Sequence, residues 1–84
     1  MTKTTNEIKA LPAEAYADQL IADRDNLAWN YAHLSRQHIA LRDAGKGDTA
    51  VAIYTRRAMR AILQGDRGAY LAALDEIIKI CKGL

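Results

Sequence analysis

AEAYADQLIADRDNLAWNYAHLSRQHIALRD, residues 13–43, is the stretch that decides the fold. It holds neither glycine nor proline, so no residue in it stops a helix by its own backbone preference. At 1.5 Å rise per residue, about 31 residues make a rod of roughly 46 Å. Leu20, Leu27, Leu34 and Leu41 recur every seven residues and form one line on such a helix. The alternate core-type positions carry Ala17 or Arg24, Tyr31 and His38, and Arg24 and His38 are poor occupants of a zipper seam. Ile21, Ala28, Ala32 and Ile39 widen the apolar face to nearly half the circumference, more than one partner helix covers. The pattern predicts the spine of a helical bundle rather than a simple zipper.

The flanks set the boundaries. Pro12 suits the first turn of a helix, and Glu14 and Asp18 suit its positive end. Gly45 in Ala44-Gly45-Lys46-Gly47 is placed for a left-handed C-cap. Asp48 and Thr49 are N-cap candidates for a second helix that Gly65 ends, and Asp66 is placed to cap a third. The expected fold is all-α, with helices at about 13–43, 49–64 and 67–82. It is either a three-helix bundle or a kinked helical hairpin with one long N-terminal helix. Residues 1–11 read as a flexible lead-in to a single helical domain over 12–84.

If the two later helices fold back on the first, they cover only half of it. The half around Tyr16, Leu20 and Leu27 is then expected to present an uncovered apolar face, which proteins normally fill with a second copy or a partner.

With 84 residues the chain is one domain with a small core. Its net charge of +2 points to no particular class of partner. Residues 1–44 carry −1 and residues 45–84 carry +3, a modest asymmetry. The single cysteine, Cys81, fits a reducing compartment. The polar start, Met1 to Lys9, lacks the apolar stretch of a signal peptide, and no run reaches the roughly 20 apolar residues of a membrane span. The expected location is the cytoplasm.

Two features stand out as candidate binding residues. Trp29 falls off the leucine line of an ideal helix, near Arg36, and tryptophan is enriched in interface hot spots. Trp29, Arg36, Tyr16 and Leu20 are therefore the candidate partner-binding residues. Arg56, Arg57, Arg60 and Arg67 form a basic cluster that suits an anion or nucleic-acid phosphates. In a hairpin turning near residues 45–47, Arg67 would instead lie beside Asp23 and Asp25.

His33 and His38 are five apart, not the four that clamps a metal on one helical face, and no metal site or cofactor is expected. Cys81 lies on the apolar side of its helix and reads as a small hydrophobe. No catalytic constellation is legible, so the expectation is a non-enzymatic protein–protein interaction module. It would self-associate, as a dimer, or bind a protein partner, acting as an adaptor or inhibitor. Small helical proteins of this style are common among bacteriophage accessory factors. The alternative is a nucleic-acid-binding regulator using the arginines.

Overall fold

The computed structural model describes residues 8–83, and all regular structure among them is helical. Four helices follow one another: α1 (Ala13–Ala22), α2 (Leu27–Asp43), α3 (Ala50–Gln64) and α4 (Arg67–Lys82). The long N-terminal helix expected over 13–43 is therefore two helices meeting at an elbow over residues 23–26. The architecture is neither a three-helix bundle nor a hairpin on one long rod. The later boundaries lie where the glycines and caps place them.

The elbow has a tertiary cause. In an unbroken helix the Leu20 carbonyl would accept from the Arg24 N–H, and the Arg24 carbonyl from the Ala28 N–H. Here the Arg24 N–H turns to the Ile21 carbonyl at 3.3 Å. The freed Leu20 carbonyl accepts from the buried Asn30 amide at 3.1 Å, and the Arg24 carbonyl accepts from the Tyr70 hydroxyl at 2.7 Å. Asn30 also donates to the Tyr70 oxygen at 2.7 Å, so one asparagine and one tyrosine tie α1, α2 and α4 together. Asn26 completes the break by accepting from the Trp29 N–H at 3.3 Å as the N-cap of α2.

The α3–α4 turn needs no such help. Gly65 takes φ +69° past the end of α3, and the Asp66 N–H reaches back to the Ala61 carbonyl at 2.9 Å. The Asp66 carboxylate then accepts from the Ala69 N–H at 3.0 Å and opens α4. Gly45 plays the same part after α2, with φ +73° and a Lys46 N–H to Leu41 carbonyl bond of 2.7 Å.

α3 packs most extensively on α4, α2 packs on α3, and α1 folds back onto α4. The core joins Tyr16 and Leu20 of α1, Leu34 of α2, Ala58 and Ala61 of α3, and Tyr70, Leu74 and Ile77 of α4. With no phenylalanine to fill it, two tyrosines supply the bulk. Each then needs a partner for its hydroxyl. Tyr16 meets Thr55 at 2.9 Å, and burial pushes its phenol well above the ordinary range.

The leucine line is dispersed by the elbow: Leu20 and Leu34 are fully buried, Leu41 is half-buried, and Leu27 is 41% exposed. The expectation that Tyr16 and Leu20 sit on an uncovered face is overturned, because α1 reverses onto α4 and buries both. Of the N-terminal segment expected to be flexible, residues 1–7 lie outside the described residues. Ile8 is buried, and Leu11 is held on α2 by the Gln37 side chain, which donates to its carbonyl at 2.9 Å and accepts from its N–H at 3.1 Å. No helix among the described residues is long and apolar enough to cross a membrane.

Candidate interaction surfaces

The elbow resets the rotational phase of α2. Its inward side is set by Asn30, His33 and Leu34, all buried. Asp23 at the elbow anchors this side, with one carboxylate oxygen 3.3 Å from His33 Nε2 and accepting from the Gln19 amide at 2.6 Å. The opposite side of α2 presents Ala28, Ala32, Ser35 and Ile39, spaced four, three and four residues apart and so aligned down the helix. Ala28 is exposed and the other three are half-buried. With Tyr31 and Arg36 they line an open concavity of about 420 Å³. The sequence pattern had assigned Ala28, Ala32 and Ile39 to the core face. They point outward because two polar residues, Asn30 and His33, take the core side.

Arg36 is exposed and has no ion-pair partner among the described residues. It borders a second open concavity of about 360 Å³ where Ile8, Lys9 and Ala10 lie along Ile39, Ala40 and Asp43. Trp29 is half-buried on the same helix. Tyr16 and Leu20, the other two candidates, belong to the core and are not part of this surface.

The four arginines do not act as one patch. Arg56 donates to the Gly47 carbonyl at 2.7 Å and braces the α2–α3 turn. Arg67 pairs with Asp25 at 2.9 Å across the two elbows; of the two carboxylates expected beside it, Asp23 instead faces His33, and the hairpin on one long helix that motivated the expectation is not formed. The Arg67 hydrogen bond holds the Asp25 carboxyl below its ordinary range. Arg57 and Arg60 remain, exposed, on the outer wall of α3 and without an ion-pair partner among the described residues. They line an open groove of about 430 Å³ between α3 and α4, with buried Ala61 and Ala73 at its base and exposed Ala69 and Ala72 on the α4 side. The Arg57 guanidinium lies 5.2 Å from the centroid of the Tyr54 ring.

The alanines on the α4 wall were not legible as a site, since alanine is the commonest filler of a helix. The signal lies in their spacing: Ala69, Ala72 and Ala73, then Glu76, all on the side of α4 that faces the outer edge of α3.

Among the described residues no group of three or more His, Cys, Asp or Glu side chains is placed to hold a metal ion. Burial raises the Cys81 thiol above its ordinary value, which favours the protonated and unreactive form. Two open surfaces are lined by the candidate residues: the outer face of α2, edged by Arg36, and the α3–α4 groove, with Arg57 and Arg60 on one side and Glu76 on the other.

No protein-family model matches the chain, and no curated protein or solved structure matches it.

Proposed function

We propose that this chain is a non-enzymatic helical interaction module that self-associates and serves as a small cytoplasmic adaptor or inhibitor. One observation carries the reading: the outer face of α2 is a line of small and apolar residues, Ala28, Ala32, Ser35 and Ile39, with no charge within the line and, among the described residues, no helix over it. Small side chains let a second helix approach to the 8–10 Å of ordinary helix packing. A two-fold pair presents the same patch on both copies, so a line that is uncharged throughout meets no repulsion when it faces itself. Tyr31 supplies aromatic area beside it, and Arg36 marks its polar edge.

Size-exclusion chromatography with light scattering tests this directly. The expected result is a dimer that dissociates on dilution. Ala32→Glu places a charge in the middle of the line and is expected to leave a helical monomer. A chain that stays strictly monomeric at about 500 μM, where even a weak contact would show, sinks self-association.

The nucleic-acid reading draws less support. Arg56 and Arg67 are engaged within the chain, and the two arginines of the cluster that are left, Arg57 and Arg60, are few beside the roughly six to ten phosphate contacts of a salt-sensitive binder.

A further inference from the structure

We propose that the groove between α3 and α4 docks an acidic amphipathic helix of a protein partner, with the carboxylate-bearing flank of that helix along Arg57 and Arg60. This is a second surface, distinct from the outer face of α2 and independent of self-association there.

Three observations select the occupant. First, the charge is uncompensated on one wall only. Arg57 and Arg60, one turn apart, have no carboxylate within 4 Å among the described residues; Arg24, Arg36 and Arg56 share that property, but none of the three lines this groove. Second, the opposite wall carries Glu76, which is held by Lys79 at 3.6 Å and repels a second carboxylate on that side. The groove therefore asks for a ligand whose negative charge is confined to one edge. A phosphate backbone, charged all along, meets Glu76 unfavourably. Third, the groove is lined by alanine, with buried Ala61 and Ala73 at its base and exposed Ala69 and Ala72 on the α4 wall. A lining of methyl groups between two antiparallel helices leaves a trough that fits a third helix laid along it, with its apolar stripe down. Tyr54 adds an aromatic wall under the Arg57 guanidinium, and stacking holds that guanidinium at the groove.

The pairings would be solvent-exposed at the rim, so they set orientation and partner choice more than raw affinity. Apolar contact with the alanine lining supplies the rest.

The test uses the full chain and a labelled synthetic helix bearing a leucine–alanine stripe with glutamates along one flank. Fluorescence anisotropy at low salt is expected to show saturable binding. Replacing the peptide glutamates with glutamine, or making R57Q/R60Q in the protein, is expected to weaken it about tenfold, as two rim pairs would. Both arginines are exposed, so the protein variant keeps its fold, which circular dichroism checks. Ala72→Leu narrows the groove from the α4 wall and is expected to weaken both peptides alike. Lack of saturable binding by the acidic peptide at about 1 mM, the threshold of a meaningful contact, overturns the proposal. Equal affinity for the glutamine peptide overturns it too, as does tighter binding of a single-stranded oligonucleotide. Light scattering on R57Q/R60Q separates the two surfaces, because its dimerisation is expected to be unchanged.

Discussion

The molecule turns sharply at two elbows that lie side by side, bridged by the Asp25–Arg67 pair. They are built in opposite ways. The α3–α4 elbow is local: a glycine with positive φ, Gly65, ends one helix and the very next residue, Asp66, caps the following one. The α1–α2 elbow has no glycine and no proline. It exists because Asn30 and Tyr70, ten and forty-six residues beyond the carbonyls they satisfy, compensate two broken helical hydrogen bonds. A turn encoded locally survives the loss of its surroundings, whereas one encoded by packing depends on them.

The largest expected effect comes from cutting the tertiary elbow at its centre. Asn30→Ala removes the donor to the Leu20 carbonyl and to the Tyr70 oxygen inside a closed core. Urea denaturation is expected to show a loss of about 3 kcal/mol, the sum of unsatisfied polar groups and a small cavity. Tyr70→Phe keeps the ring and deletes only the hydroxyl, at an expected loss of about 2 kcal/mol. Because the two side chains bond each other, the double variant should lose less than the sum, with a coupling of about 1 kcal/mol. Strict additivity would mean that the elbow does not depend on their contact.

Next comes the local elbow. Gly65→Ala meets no atom within 4 Å of the added methyl, so its cost is the backbone conformation alone, about 1 kcal/mol. If this variant proves more destabilising than Asn30→Ala, the contrast between the elbows is reversed.

The smallest effect is expected at the bridge between them. Asp25 is fully exposed, and its pKa is lowered chiefly by the Arg67 hydrogen bond. A depressed carboxyl stabilises the fold above its unfolded pKa and loses that contribution as pH falls through its lower folded value. Asp25→Asn should therefore leave Tm almost unchanged at neutral pH and remove a small part of the acid sensitivity. A large drop in Tm at pH 7 would mean that the bridge holds the elbows rather than decorates them.

Much of the chain was legible from residue order. The all-helical class, the end of α2 at Gly45 and the α3–α4 turn at Gly65-Asp66 follow from glycines, caps and spacing that act within a few residues, whereas the Arg67–Asp25 pair joins residues 42 apart and depends on the packed fold. The basic groove was half legible: Arg57 and Arg60 stood out by charge, but so did Arg56 and Arg67, which the structure uses internally. The outer face of α2 was misread as core, since Ala28, Ala32 and Ile39 are apolar while Asn30 and His33 are not.

What the sequence by itself determined was where helices are able to start and stop, because caps and left-handed glycines are properties of the local backbone. What only the tertiary structure decided was that a helix also stops at residues 23–26, and hence which side of α2 faces water. That choice turns on whether a buried amide and a phenol arrive to satisfy two orphaned carbonyls. Hydrogen-bond satisfaction in a closed core is a property of the assembled helices, not of any one of them.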